Sequence, residues 1–271
     1  TLDCKNDVQE GINCYRRLVD EYEVDAIIGP PLSNPALAWV ELAEEDKIPI
    51  VGHFMDERCT TNEETGEPYN FMFLAEPGCA VQSYCIAEYG LKELGLKTFA
   101  TMYCEGNAFA VKHAEPFMAY VNAKGGKVVA EETFQWSDVD YRAQATKIAS
   151  VNPDAVFLSD YAAQAALCYD QLREAGYKGI ILGANTLASA WPSLVKTEIY
   201  DVYLLQNYDL LNPESECYEL MQTFMKEDGR EYPVTNAGFG YDAVMVMVDA
   251  MKRAKDPTDG VEVAKLLEQC K

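Results

Sequence analysis

Basic residues and histidine are what this sequence has least of. Across 271 residues, 22 Lys+Arg stand against 44 Asp+Glu, a formal charge of −22. That balance repels phosphate backbones and anionic lipid headgroups, so nucleic acid is excluded as a partner. The two histidines, His53 and His113, lie far apart and read as structural or surface residues rather than as a catalytic or metal-binding pair. No run approaches the roughly 18 consecutive apolar residues of a membrane span, and the opening Thr1-Leu2-Asp3-Cys4 lacks the basic and apolar layout of a signal peptide. Also missing are Gly-x-Gly-x-x-Gly after a strand, a Gly-Lys-[Ser/Thr] phosphate loop, a Gly-x-Ser-x-Gly elbow, His-Glu-x-x-His and any Cys-x-x-Cys. No catalytic residue, metal or cofactor is therefore expected, and the chain reads as a binder rather than an enzyme.

Cysteine, by contrast, is abundant. The nine thiols at positions 4, 14, 59, 79, 85, 104, 168, 217 and 270 are too scattered for a zinc site, and their odd number leaves at least one unpaired. Cys85 and Cys168 fall on apolar helical faces and are expected to be buried. Cys4 and Cys59, in polar loop-like surroundings, are the better disulfide candidates.

The stretch Asp25-Ala26-Ile27-Ile28-Gly29-Pro30-Pro31-Leu32-Ser33-Asn34-Pro35 carries the most local information. A short apolar run ends at Gly29, and a helical pattern (Ala36, Val40, Ala43) follows Pro35. This is strand, turn, helix. Asn34 is expected as the N-cap and Pro35 as the first helical residue, which aims free N–H groups out beyond the strand's carboxyl end. Ser33 beside them adds a hydroxyl for an incoming carboxylate, in the place where open α/β sheets take ligands. The same stretch would serve equally as an ordinary α/β connection.

Along the rest of the chain, Val8, Ile12, Tyr15, Leu18 and Val19 predict a helix over 7–22. A polar loop spans 56–66 and a strand 71–75. Helices then alternate with strands: helix 79–94, strand 97–103, helix 109–123, strand 127–134, helix 141–151, strand 155–159, helix 162–175 and strand 180–183. A short helix near 189–196, a strand at 202–206 and helices over 215–227, 239–254 and 259–269 close the chain. Gly125-Gly126, Asn152-Pro153 and Gly176 mark joints. This rhythm predicts an α/β fold of parallel sheets flanked by helices, with length favouring two domains.

The succession Ala26–Ser33, Lys47-Ile-Pro-Ile-Val-Gly52, Gly125-Gly-Lys-Val-Val-Ala-Glu-Glu132, Asp140-Tyr-Arg-Ala-Gln-Ala-Thr-Lys-Ile148, Asn152-Pro-Asp-Ala-Val-Phe-Leu158 and Gln171-Leu-Arg-Glu-Ala-Gly176 resembles the type I periplasmic binding proteins. Within them it is most similar in pattern to the leucine/isoleucine/valine-type solute receptors of ABC importers. The resemblance implies two lobes, 1–76 with 208–271 and 77–207, closing on a ligand in the cleft between them. It implies an extracytoplasmic protein whose partners are a small amine-bearing solute and a membrane permease. A ligand-sensing domain of the same fold in a receptor or regulator is the alternative. Family members begin earlier, with a central strand, and continue past the last helix, so the resemblance implies a trimmed sequence or a strand supplied by a partner.

Carried over by position, the family's pocket falls on Ser33, Phe54, Asp56, Phe109, Tyr161 and Asn185, with Asn34 at the helix start. Ser33 and Tyr161 match the pattern. Phe109 stands in place of a tyrosine, Asn185 in place of the acid that holds the ligand ammonium, and Asp56 in place of a threonine. A carboxylate at 56 about 4 Å from a ligand carboxylate would cost roughly 4 kcal/mol at an effective dielectric near 20. Asp56, or Asp160 beside Tyr161, is therefore expected to take over the ammonium, unless Asp56 simply caps a turn. Among the aromatics, Trp39 and Tyr15 fit core positions, whereas Tyr103, Tyr161, Tyr208 and Phe239 lie near strand ends or joints and are cleft candidates. Trp136 and Trp191 could join a pocket for larger ligands.

Overall fold

The structure, a computed structural model, describes residues 1–209, 212–215, 217–229 and 235–270. In chain order the elements are α1 (Val8–Arg16), β1 (Ile27–Ile28), α2 (Ser33–Asp46), β2 (Ile50–Gly52), β3 (Met72–Leu74), α3 (Cys79–Lys92), β4 (Thr98–Cys104), α4 (Ala108–Ala123), β5 (Lys127–Phe134) and α5 (Arg142–Val151). There follow β6 (Ala155–Leu158), α6 (Ala162–Glu174), β7 (Ile180–Gly183), α7 (Trp191–Leu194), β8 (Val202–Leu204), α8 (Tyr218–Asp228), α9 (Thr235–Arg253) and α10 (Gly260–Leu267). The chain divides into two compact units, Thr1–Gly78 with Asn236–Lys271 and Cys79–Thr235. The second unit thus includes α8, in a stretch that the sequence reading gave to the first lobe.

The second unit is a five-stranded parallel sheet in the order β5-β4-β6-β7-β8. Side chains alternate across a strand, and here both sets are apolar. Ala100, Met102 and Cys104 of β4, with Val156 and Leu158 of β6, pack against Tyr141, Ala145 and Ile148 and the apolar face of α6. Phe99, Ala155 and Phe157 pack the other way, against Ile86 and Ala87 of α3 and Phe117 and Val121 of α4. Helices therefore cover both faces. The joints behave as expected: Asn152 ends α5 in the left-handed conformation, and Gly125 takes φ 89° after α4, which a side chain would resist.

The first unit is built on the three-stranded parallel sheet β1-β2-β3. Ile27, Ile50 and Met72 meet Cys14 and Tyr15 of α1 and Ala36, Trp39, Val40 and Ala43 of α2. Val51 faces the opposite side, toward Ala243, Met247 and Ala250 of α9 and Val263 and Leu267 of α10. Trp39 and Tyr15 are core residues, as expected, with rings edge-on at 5.5 Å.

Several local expectations are corrected. The helix expected over 7–22 is α-helical only to Arg16 and closes with a wider π turn over Arg17–Glu21. The short helix expected near 189–196 is present as α7, and a 3-10 turn (Asn185–Ala188) that was not expected precedes it. Of the helix expected at 215–227, residue 216 lies outside the described residues. No disulfide forms among the described residues, so Cys4 and Cys59 are not bridged; Cys59 is buried, and Cys85, expected to be buried, is exposed. Cys59 lies in the 3-10 turn Glu57–Cys59, with its Sγ 3.9 Å from the Ser33 carbonyl, so the polar residues around it in sequence are not its neighbours in space. Cys85 belongs to the outward face of α3, beside Tyr84 and Tyr89.

Candidate functional site

The sequence-derived residues fall into two groups, one in each unit. In the first, β1 runs out through Gly29-Pro30-Pro31 into α2, which starts at Ser33 with Leu32, not Asn34, as its extended N-cap. The Ala36 N–H already bonds the Leu32 carbonyl, so the helix begins earlier than the capping preference of Asn34 implied. Ser33 is 1% exposed, and its Oγ accepts the backbone N–H of Asp56 at 3.3 Å. Thus two sequence-distant candidates, Ser33 and Asp56, do meet.

Asp56 is fully buried but not available as expected. Its carboxylate caps the 3-10 turn by accepting the Arg58 N–H at 3.0 Å, and both oxygens accept the Arg58 guanidinium, the nearest at 2.6 Å. This fork-to-fork bonding raises the Arg58 pKa above its usual value. An ammonium could reach Asp56 only in competition with Arg58. Phe54 is likewise corrected: at 0% exposure it is core, against Ile50 and Met72. Phe239 lies stacked on His53, with ring centroids 4.6 Å apart, and His53 Nδ1 contacts the Glu76 carboxylate. The sequence reading did not foresee Arg58 or the His53–Glu76 pair. The Asp-x-Arg spacing was the available signal for the first, since Asp140-Tyr141-Arg142 forms the same fork on the surface.

In the second unit the group gathers at the carboxyl ends of β4, β5 and β6. Asp160, immediately beyond β6, is fully buried and accepts the Cys104 N–H at 2.7 Å, Asn107 Nδ2 at 2.8 Å and its neighbour Tyr161 N–H at 2.9 Å. Burial raises its pKa, and those three donors partly offset the rise. No lysine or arginine bonds it among the described residues, so it remains an uncompensated negative charge when ionised. Phe109, at the start of α4, packs against Tyr161 at 5.3 Å, and Trp136, beyond β5, lies 6.0 Å from Tyr161 on its other flank. Tyr161 Oη is buried without a partner. Asn185, 5% exposed, opens the turn after β7. Tyr103 bonds Glu131 through its hydroxyl at 2.6 Å. His113 is wholly buried, its Nδ1 at 3.0 Å from the Phe109 carbonyl, and burial lowers its pKa to about 4. It is structural, as read. No cluster of metal-binding side chains occurs among the described residues.

A family model described as "Periplasmic binding protein" matches residues 1–271. The chain belongs to that family. A curated relative, "Leu/Ile/Val-binding protein homolog 3" of Brucella melitensis, is 27% identical over 192 residues, which are 70% of this chain and 51% of that protein. The matched stretch spans about half the length of that curated relative. Among solved structures, a leucine binding protein, LivK, from Thermotoga maritima superposes with a TM-score of 0.88 at 25% identity, covering 98% of this chain and 74% of the other. The branched-chain amino acid transporter substrate binding protein LivJ from Streptococcus pneumoniae, in complex with isoleucine, gives 0.86 at 22% identity, covering 100% and 75%. These matches agree with the resemblance to leucine/isoleucine/valine-type receptors and with the α/β architecture. The family is one of binding proteins rather than enzymes.

Proposed function

We propose that this chain is an extracytoplasmic solute-binding protein that delivers an amino acid or similar small amine-bearing solute to the permease of an ABC importer, its two lobes closing on the solute by a hinge. The observation that carries the reading is Ser33. It sits at the first turn of α2, where helix amides lack intrahelical partners, and its Oγ accepts from Asp56 while its own hydrogen is left to donate. A carboxylate suits that position, and Asn34 beside it belongs to the same turn. The amine end belongs to the second unit, where Asp160 supplies negative charge beside Tyr161, and Asn185 is assigned to the same end from the buried turn after β7. Asp56, neutralised by Arg58, acts here by orienting Ser33 through its backbone N–H. Phe239 on His53 adds an apolar surface.

A thermal-shift series tests this on the full chain, with amino acids set against analogues lacking either the carboxylate or the amine. A ligand at a hundred times its Kd stabilises by about 2.7 kcal/mol, a shift of several degrees. The reading requires a shift that needs both groups and that Ser33→Ala reduces. No shift with any amine-bearing solute, from a chain shown to be folded, would overturn it.

A further inference from the structure

Asn107 gives up a helix cap to reach Asp160. It precedes α4 with the extended backbone of an N-cap (φ −99°, ψ 103°), and its carbonyl accepts the Val111 N–H, yet its side chain does not cap the helix. Asn is among the best capping residues because its Oδ1 takes a first-turn N–H. Here Oδ1 is buried without a partner, and the amide is spent elsewhere: Nδ2 donates to Asp160 Oδ1 at 2.8 Å, between residues 53 positions apart. Both residues are fully buried.

Asp160 ties several connections of the second unit together. Its carboxylate also accepts the Cys104 N–H at the end of β4 and the Tyr161 N–H that leads into α6, and its carbonyl accepts Thr186 Oγ1 at 2.7 Å, from the turn after β7. Ser159 Oγ, one residue earlier, donates to the Ala110 carbonyl in the first turn of α4. Every candidate site residue of this unit therefore lies within two positions of such a bond: Phe109 two after Asn107, Tyr161 next to Asp160, and Asn185 next to Thr186. Without the Asn107 amide, a buried carboxylate loses one of its three donors, and the start of α4 loses a direct tie to the residue beside Tyr161.

We propose that Asn107 is a positioning residue of the solute site: by holding Asp160 it fixes Phe109 against Tyr161, and so sets the affinity for the part of the solute that meets those rings. This deepens the solute-binding reading above and rests on it. Asn107 acts through Asp160 and touches no solute. A carboxamide suits the position because it donates to the carboxylate without adding charge. A carboxylate at 107 would face Asp160 across hydrogen-bond distance, and two such groups stay together only while they share a proton. The thiols of Cys104 and Cys168 and the phenols of Tyr141 and Tyr161, which feel the Asp160 charge, are pushed up by burial and stay neutral through pH 8. Titration of Asp138, whose charge also reaches Cys104 and Tyr141, is common to parent and variant. A change between pH 5 and pH 8 that appears only in Asn107→Asp therefore reports the new pair.

Calorimetric titration of the full chain with leucine as the probe, at pH 5 and pH 8, tests the assignment in the parent, Asn107→Ala and Asn107→Asp. Near-UV circular dichroism of the same ligand-free proteins follows the packing of the aromatic rings. The expected results are a loss of about tenfold or more in Asn107→Ala at both pH values, and in Asn107→Asp near-parent affinity at pH 5 with a similar loss at pH 8. The ligand-free dichroism of Asn107→Asp should depart from the parent's at pH 8 and return to it at pH 5. Far-UV dichroism checks that both variants fold. Parent affinity in Asn107→Ala, or a profile for Asn107→Asp parallel to the parent's, would overturn the inference and leave the solute-binding reading standing. If leucine does not bind the parent, the ligand-free dichroism decides, and no pH-reversible change in Asn107→Asp overturns the inference. Failure of the folded parent to bind any amine-bearing solute overturns the solute-binding reading and this inference with it.

Discussion

Asp56 and Arg58 form a two-pronged ion pair across a single turn, the carboxylate fully buried and the guanidinium about one-third exposed. The pair changes the meaning of an acidic residue in the first unit's candidate site. A lone carboxylate there would repel a ligand carboxylate, whereas a carboxylate already matched by arginine leaves the Ser33 turn nearly neutral.

Removing one partner strands the other. Arg58→Ala is expected to cost about 2–3 kcal/mol, less than the loss of a fully buried partner because water already reaches the guanidinium. Asp56→Asn, which keeps a cap on the Arg58 N–H, should cost less. Urea unfolding of both variants and of the double variant measures the coupling, and strict additivity would show that the pair does not act as a unit.

His113 makes stability depend on pH. Its Nδ1–H donates to the Phe109 carbonyl, and its Nε2 is buried without a partner, so a proton added there has no acceptor. The folded-state pKa is about 4 against an ordinary 6.5. Between those values the unfolded chain binds the extra proton, so this contribution is fully present above pH 6.5 and falls away toward pH 4. The loss is on the order of 3 kcal/mol. Urea midpoints at pH 7.5 and 4.5 should separate less in His113→Gln than in the parent protein.

Gly106→Ala should move Trp136. The new methyl group meets the edge of the indole, which can swing outward into water, so the stability cost is expected to stay within about 1 kcal/mol. Tryptophan emission should shift to the red, because the other two tryptophans are buried. Unchanged emission would mean that the ring does not rest on Gly106.

Trp39 ties α2 to α1 by more than area. Its Nε1–H donates to the Gly11 carbonyl at 2.8 Å in the core. Trp39→Phe keeps an aromatic ring but loses that bond, while the Gly11 carbonyl keeps its helical partner within α1, for an expected loss of about 1 kcal/mol in chemical denaturation.

Thiol accessibility follows burial. Cys85 should react with a maleimide first, Cys4, Cys217 and Cys270 more slowly, and Cys14, Cys59, Cys79, Cys104 and Cys168 only on unfolding. Peptide mapping after brief labelling reads the order directly, and early modification of Cys59 would contradict its place beneath Ser33.

The sequence by itself determined the layered α/β class and the order of elements, because parallel strands buried on both sides are written as short continuous apolar runs between helical periods. Resemblance placed Ser33, Phe109, Tyr161 and Asn185 at strand ends, and Tyr161 with Phe109 do meet there. Tertiary structure decided what the carboxylate of Asp160 has left to offer, whereas that of Asp56 was written locally, in the Asp-x-Arg spacing. Asp56 is taken by a residue two positions away, and Asp160 by the Cys104 N–H at the end of β4 and the Asn107 amide just beyond it, more than fifty residues earlier. It also decided that Phe54 turns inward, that Cys59 is buried and unbridged while Cys85 is exposed, and that an indole beyond β5 lies on a glycine beyond β4. Local periodicity fixes the face on which a side chain begins. Long-range packing and the competition among hydrogen-bond partners fix what that side chain has left to offer a ligand.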